Sequence, residues 1–293
     1  NPLLAGRYLC EAIGKRTTSS IGYSLAYDST DNRLRPTRGQ RFLVSQDFAG
    51  LGGSVRYLRT RANAAKYWKP FGNFVFSTSL EGGYIHSFED APAIGSDPVR
   101  LIDRFFLGEP QIRGFDIRGV GPRVQRIPYI KQEDGTFELA TDRRSIVDDS
   151  IGGKAYYVAR AELEVPVSSA IRELGLRPSF FIDAGALFGL RDPITSSVLP
   201  GDPRTVNKCV DTNGNSTDAP ATGSCATGSV LVPGVQPFLE RFVGDTAKPR
   251  ISVGFGVNWN SPFGPFRIDI AKALTKAEGD DTKLLTFNVG TAF

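Results

Sequence analysis

The sequence predicts an all-β protein, and three observations indicate this fold class. Apolar and polar residues alternate with a period of two in many segments, which is the periodicity of a β-strand and not of a helix. The 293-residue chain contains no run of about 18 or more apolar residues that could cross a membrane as a helix. Its connections alternate between short turns and long Pro- and Gly-rich loops, as expected for strands joined in antiparallel pairs.

The alternation is clearest near the C-terminal end, where Ile251 and Val253 flank Ser252. Two segments without regular alternation, residues 108–152 and 190–248, are predicted to be long loops. The alternating segments predict ten strands, near residues 17–29, 39–49, 53–66, 73–87, 99–107, 153–166, 177–189, 249–260, 264–274 and 282–293.

Strands with one apolar face and one polar face fit two architectures. In a soluble sandwich the apolar faces meet in a core, whereas in an outer-membrane barrel the apolar face contacts lipid and the polar face lines a lumen. The pattern favours a transmembrane antiparallel β-barrel, with a soluble β-sandwich ligand-binding module as the alternative. The reason is the number of charged residues on the polar face, which suit a wet lumen: Glu81, Arg160, Glu162, Glu164, Asp183, Arg267 and Asp269.

The charge composition argues against nucleic acid as a partner. The chain has 35 Lys+Arg and 31 Asp+Glu residues without a long run of one sign, whereas phosphate backbones need clustered cations. It contains no Gly-x-Ser-x-Gly elbow, no phosphate-cradling glycine loop and no Cys-x-x-Cys pair, so we expect neither an enzyme nor a cofactor. The stretch from Asp211 to Asp218 resembles a cation-binding loop but lacks the bidentate Glu, so no metal site is expected.

The most specific motif lies in the first long loop. It reads Ile112-Arg113-Gly114-Phe115, and it is flanked by Gly-Glu-Pro and by Gly-Val-Gly-Pro. The tetrapeptide resembles the Val-Arg-Gly-Phe/Tyr signature of the barrel-assembly and two-partner-secretion transporter superfamily, and the flanks resemble its outer-membrane assembly-factor branch. Further motifs agree with this resemblance in order, at residues 161–166, 179–185 and 260–267.

The resemblance implies that residues 1–293 form the C-terminal part of an outer-membrane barrel, about ten of sixteen strands, with the upstream strands and the periplasmic POTRA domains outside this chain. It implies that residues 108–152 fold into the lumen and that residues 190–248 form a long extracellular loop. The implied function is insertion of β-barrel proteins into the bacterial outer membrane, in which this protein would be integral. Outer-membrane lipid, unfolded β-barrel clients and periplasmic lipoproteins are the implied partners.

Three alternatives share part of this pattern. A TamA-like transporter or a two-partner-secretion pore would share the Arg-Gly-Phe/Tyr loop but would serve other substrates. A passive porin-like channel would share only the alternation and the terminal aromatic residue, and it would leave the loop motif unexplained.

The same resemblance assigns roles to individual residues. Arg113 is expected to contact acidic residues on the inner wall, where the matching positions are Glu164 and Asp183. Gly114 would let the backbone approach the wall, and Phe115 would anchor the loop through apolar contacts. The final alternating segment resembles the C-terminal signal of outer-membrane barrels, formed here by Leu285, Phe287, Val289 and Phe293.

The cysteines predict one possible disulfide. Cys209 and Cys225 lie in the same Gly/Ser/Thr-rich loop, while Cys10 has no evident partner. Closing a loop of this size would stabilise it by roughly 3 kcal/mol in the chain-entropy account.

Overall fold

The computed structural model describes residues 8, 13–33, 35–91, 95–168, 171, 173–220, 224–261 and 264–289. The chain divides into two compact units. The first, which we call the sheet unit, comprises Gly14–Arg123, Ser150–Asp192 and Gly244–Phe293. The second, which we call the loop unit, comprises Asn1–Ile13, Val124–Asp149 and Pro193–Val243.

The all-β prediction is confirmed, because the regular structure of the described residues consists of strands and three short 3-10 helices, at Leu101–Asp103, Arg143–Ser145 and Pro203–Thr205, apart from the helical residues Tyr8, Ile171 and Glu173. In the described part of the chain, no helix has the length and apolarity needed to cross a membrane. The strands are, in chain order, β1 (Ser20–Asp28), β2 (Gly39–Ala49), β3 (Tyr57–Trp68), β4 (Val75–Ser87), β5 (Arg123–Lys131), β6 (Phe137–Leu139), β7 (Val147–Ser150), β8 (Ala155–Glu164), β9 (Leu176–Phe188), β10 (Lys208–Val210), β11 (Ser216–Asp218), β12 (Val230–Val232), β13 (Phe238–Val243), β14 (Arg250–Ser261), β15 (Gly264–Thr275) and β16 (Leu285–Val289).

One antiparallel sheet dominates the sheet unit. Its strand order is β1-β2-β3-β4-β8-β9-β14-β15-β16, so each strand pairs with the strand that precedes or follows it in this unit. Nine of the ten predicted strand ranges overlap strands of this sheet. The last range overlaps β16 only as far as Val289, because residues 290–293 lie outside the described part of the chain.

The prediction of a strand over residues 99–107 is wrong. Leu101–Asp103 is a 3-10 helix, and beyond it Phe105 and Leu107 make only isolated bridges. Since β4 pairs directly with β8, the sheet has no place for another strand between them. The apolar side chains of this segment pack instead against one face of the sheet, in a cluster formed by Ala49, Val55, Tyr57, Ile85, Val99, Phe105, Leu107, Ile112, Phe115, Val120, Val158 and Leu187.

The two faces of the sheet differ in an unusual way. Along β15, Ile268 is 44% exposed and Ile270 is 52% exposed. The residues that alternate with them, Arg267 and Asp269, are only 3% and 1% exposed. Asp183 in β9 is fully buried as well. Soluble proteins bury apolar side chains and expose charged ones, so the sheet reverses that arrangement. We call these two faces the apolar exposed face and the charged buried face.

The two segments predicted to be long loops contain short strands that period-two analysis did not detect. In the loop unit, β11, β10 and β12 form a three-stranded sheet, and β13, β5 and β6 form part of a second sheet that β7 joins through β5. Several of these strands have only 3 residues, too few for alternation to stand out from chance.

Candidate functional site

Residues 105–122, which we call the arginine loop, fold onto the charged buried face of the sheet. The loop is closed at its base by a bridge between Leu107 and Val120. Within it, the backbone N–H of Ile112 donates to the carbonyl of Gly108 at 3.0 Å. These local hydrogen bonds give the loop a fixed shape, and the loop presents Arg113 to the sheet.

Arg113 makes a dense set of charge-assisted hydrogen bonds with two strands. Its Nε and Nη2 donate to the two carboxylate oxygens of Asp183 at 2.7 and 2.6 Å, and its backbone N–H donates to the same carboxylate at 3.0 Å. Its Nη1 donates to Glu162 at 2.7 Å. The guanidinium also lies 3.5 Å from the centroid of the Phe181 ring. Planar fork-to-carboxylate geometry of this kind is specific to arginine.

One of the two predicted partners of Arg113 is wrong. Arg113 contacts Asp183 as predicted, but Glu162 takes the place assigned to Glu164, which pairs with Arg177 at 3.4 Å instead. The sheet register gives the reason. Asp183 lies opposite residue 160, so Glu162 is one same-face position away from it along β8 and Glu164 is two positions away. A guanidinium bound to Asp183 therefore reaches only the nearer carboxylate.

The network continues through a second arginine that the sequence placed on this face but did not connect to the loop. Arg267 of β15 contacts Glu162 at 3.2 Å and Asp269 at 2.9 Å, and it also donates to the side chain of Asn258 at 3.2 Å. Arg113 and Arg267 thus share Glu162 between them. The period-two pattern could show that these residues face the same side, but not how deep the loop would reach.

Gly114 is required where it lies. Its φ of +83° falls in the left-handed region, and a Cβ at this position would lie 3.1 Å from the Cβ of Ser252. The loop is close to β14 here, because the Ser252 hydroxyl donates to the carbonyl of Arg113 at 2.5 Å. On either side, Ile112 and Phe115 are completely buried. The structure therefore places all four residues of the predicted motif at the loop–sheet contact.

The arginine loop also contacts the last strand and the turn before it. The side-chain amide of Asn288 in β16 donates to Glu109 at 2.9 Å, and the backbone N–H of Lys283 donates to the carbonyl of Gly114 at 3.1 Å. Phe115 forms a bridge with Thr282. The loop therefore forms hydrogen bonds with β16 as well as with β8, β9 and β14.

The residues of the predicted C-terminal signal lie on the apolar exposed face. Leu285, Phe287 and Val289 are all more than half exposed, and the ring of Phe287 stacks on that of Phe266 at 5.8 Å. Phe293 lies outside the described residues.

Electrostatics favour the charged form of the loop arginine. Burial alone would lower the pKa of the Arg113 guanidinium, but the hydrogen bonds to Asp183 and the charges of Asp183 and Glu162 raise this pKa above its ordinary value. Removing one partner of such a buried set leaves an uncompensated charge, which costs more than the pair itself contributes. The arrangement is suited to holding a loop in one position.

In the loop unit, Cys209 and Cys225 are joined by a disulfide, with their Cα atoms 5.6 Å apart. Cys10 lies outside the described residues. Asp211, at the start of the stretch that resembles a cation-binding loop, accepts hydrogen bonds from the backbone N–H groups of Asn213 and Asn215. These bonds close a turn of the kind that Asp side chains commonly stabilise.

Comparison with known proteins adds findings about the family. A family model described as the Omp85 superfamily domain matches residues 5–293. The outer membrane protein assembly factor BamA of Neorickettsia risticii is 28% identical over 281 residues, which cover 96% of this chain and 28% of that protein. The sorting and assembly machinery component 50 homolog of Mus musculus is 31% identical over 184 residues, which cover 60% of this chain and 33% of that protein.

A solved structure resembles the fold. The crystal structure of BamA from Haemophilus ducreyi lacking POTRA domains 1–3 matches with a TM-score of 0.60 and 22% sequence identity, covering 94% of this chain and 42% of that chain. The present chain therefore spans 28% and 33% of the length of the two curated relatives, and less than half of the solved structure.

Proposed function

This chain belongs to the Omp85 superfamily, and from that premise we propose that it is the C-terminal part of a transmembrane β-barrel that folds and inserts other β-barrel proteins into the bacterial outer membrane. The relatives named above are an outer membrane protein assembly factor and sorting and assembly machinery components. The observation that carries the proposal is the arginine loop, held on the charged buried face by Arg113, Asp183 and Glu162.

In this proposal the apolar exposed face contacts lipid and the charged buried face lines the lumen. The chain is an integral outer-membrane protein, and its nine-stranded sheet would be part of a closed sixteen-stranded barrel. The remaining strands and the POTRA domains would belong to the length of the relatives that this chain does not span. Residues 108–152 would fold into the lumen from one end, and residues 190–248 would form an extracellular loop.

The physical task of such a protein is to lower a barrier and not to catalyse a reaction. An unpaired strand edge is very costly in hydrocarbon, so a client strand needs a partner while it enters the membrane. β16 lies at an edge of the nine-stranded sheet formed by the described residues. In this proposal a client strand would add to that edge by backbone hydrogen bonds.

The partners in this proposal are outer-membrane lipid, unfolded β-barrel clients and periplasmic lipoproteins of an assembly complex. Nucleic acid has no role in it. We propose no enzymatic step and no cofactor, because strand templating needs only backbone donors and acceptors and a deformable membrane.

Reconstitution tests the proposal. The intact protein that contains this chain, inserted into liposomes together with its periplasmic partners, should accelerate folding of an unfolded client barrel, followed by its heat-modifiable gel mobility. Liposomes without protein give the uncatalysed rate, and liposomes with a porin of similar size control for membrane disturbance. Folding no faster than with the porin would contradict the insertase proposal. Passage of a secreted passenger without client folding would instead favour a translocation pore, and solute flux alone would favour a passive channel.

A further inference from the structure

A polar cavity lies between the arginine loop and the strands of the sheet unit. Its volume is about 180 Å³. Its wall includes side chains of both the loop and the charged buried face, and guanidinium groups predominate among the charged ones. The arginines that line it are Arg35, Arg113, Arg160, Arg177 and Arg267, and the acidic residues are Glu162, Glu164 and Asp269.

The carboxylates that line the cavity each form an ion pair with an arginine other than Arg160. Glu162 is shared by Arg113 and Arg267, which also binds Asp269. Glu164 pairs with Arg177. Arg35, at the rim, is exposed to solvent. The remaining arginine, Arg160, is half-buried within the wall.

Arg113 of the arginine loop binds the carboxylate that would otherwise pair with Arg160. Arg160 lies directly opposite Asp183 in the register of β8 and β9, where a cross-strand ion pair would be expected. Both oxygens of Asp183 instead accept hydrogen bonds from Arg113. Among the described residues, the Arg160 guanidinium has no hydrogen-bond acceptor and no carboxylate within ion-pair distance.

Two donor groups in the wall are therefore unsatisfied. An arginine cannot lose its proton in a protein, so Arg160 remains a cation. The carboxylates whose charges act on it, Asp183, Glu81 and Glu162, accept hydrogen bonds from other side chains. The Nε of Arg177 is buried and also has no hydrogen-bond partner among the described residues. Leaving a charged or polar donor in a partly dry site without an acceptor is costly, so a bound anion would relieve both.

We propose that this cavity binds a small oxyanion, with Arg160 as its principal ligand. A phosphate group matches the planar fork of a guanidinium through two parallel hydrogen bonds. The size is suitable: one water needs about 10–15 Å³ of such volume, so the cavity holds one tetrahedral oxyanion and several waters but not a drug-sized molecule. The oxyanion is either free inorganic phosphate or the phosphate of a lipid headgroup.

The site exists only when the arginine loop is docked. Docking of Arg113 engages Asp183 and brings a second guanidinium close to Arg160, which creates the excess of positive charge. An anion offsets that repulsion, so loop docking and anion binding favour each other by the same free energy. The inference therefore deepens the proposed function, because it assigns a ligand that regulates the loop on which the function rests.

Phosphate binding to the intact protein in an uncharged detergent tests the proposal directly. Inorganic phosphate is titrated at constant ionic strength, with chloride as the reference salt, and binding is followed by the line width of the phosphorus NMR signal. In a second arm, micelles doped with phosphatidic acid replace free phosphate. We expect saturable binding in at least one arm, and the arm in which it occurs identifies the source of the oxyanion.

Variants locate the site. Arg160→Gln should weaken binding by about tenfold or more, because charge-assisted hydrogen bonds are lost, and Arg160→Lys should weaken it less. Arg41→Gln, which removes an arginine from another strand of the same sheet outside this cavity, should leave it unchanged. Arg113→Gln should also weaken binding, because Asp183 becomes free to pair with Arg160.

Absence of saturable binding in both arms would overturn the proposal, and so would equal binding by the Arg160→Gln variant. If that variant does not fold, the Arg160→Lys and Arg113→Gln variants and the wild-type titration remain decisive. Because no client protein is present, the outcome does not depend on whether the insertase proposal holds.

Discussion

The two long connections of this chain are stabilised by different interactions. The arginine loop is held by buried charges, since Arg113 and Asp183 have side chains 7% and 0% exposed and lie 2.6 Å apart. The segment Pro193–Val243 is held by its own disulfide between Cys209 and Cys225 and by short strands. The arginine loop therefore depends on partners in the nine-stranded sheet, whereas Pro193–Val243 has a covalent restraint of its own and further partners within the loop unit, such as Arg126, which contacts Glu240 at 3.2 Å.

Because of this difference, substitutions should destabilise the two segments in different ways. A loop held by ion pairs can be released by changing one residue of the loop or one residue of a strand. Either change lowers the stability of the loop and of the sheet together. When a loop is held by an internal covalent bond, loss of that bond lowers the stability of the loop and leaves the nine-stranded sheet unaffected. The following substitutions test that distinction.

Arg113→Ala should have the largest effect. It leaves Asp183 fully buried without its cation, and breaking such a pair from one side costs about 3–5 kcal/mol. Thermal unfolding and heat-modifiable gel mobility of the protein in detergent measure the loss. Arg177→Ala is the matched control, because its pair with Glu164 at 3.4 Å is partly exposed and should cost about 1 kcal/mol or less. Equal losses for the two variants would contradict the central role of Arg113.

Cys209→Ser should have a large but local effect. The disulfide spans a sequence separation of 16 residues, and its removal should destabilise the loop unit by about 3 kcal/mol. Limited proteolysis should then cut within Pro193–Val243, while thermal unfolding of the sheet unit stays unchanged. Wild-type protein treated with reductant should reproduce the cleavage pattern. A lower unfolding temperature for the sheet unit would show that the two connections are not independent in this respect.

Gly114→Ala should have the smallest effect, on the contact between the arginine loop and β14. A left-handed backbone costs an alanine about 1–2 kcal/mol, and the new Cβ would also meet Ser252 at 3.1 Å. Gly52→Ala is the matched control, because Gly52 has a φ of +82° in the same unit and an added Cβ there would meet no atom of the described residues within 4 Å. The difference in unfolding temperature between the two variants measures the close approach alone. No difference would mean that the loop can shift away from β14.

Much of the sheet could be predicted from the sequence because period-two alternation is a local signal. Most strands of the large sheet carry it, and it also gave the inward positions of Asp183 and Arg267, whereas Arg59 and Arg61 interrupt it in β3. The segment 99–107 misled the same reasoning, because its apolar residues Val99, Phe105 and Leu107 serve a packing contact and not a strand pair. Apolar content alone cannot distinguish those two uses.

The candidate site could be predicted in its residue types but not in its pairing. The motif identified Arg113, and the strand pattern supplied several inward carboxylates. Choosing Glu162 over Glu164 requires the depth at which the loop crosses the sheet, which depends on the register of β8 against β9 and on Gly114 approaching β14. Those are long-range properties, and no local pattern encodes them.

The network around Arg113 also has a consequence for the order of events during folding. Its carboxylates belong to β8 and β9, its second arginine belongs to β15, and Asn288 of β16 holds the loop at Glu109. The loop precedes all of these strands in the chain. It can reach its final position only after they have been synthesised and aligned, because contacts of long sequence separation form late. The loop can therefore dock only in a chain whose following strands have already paired in the correct register.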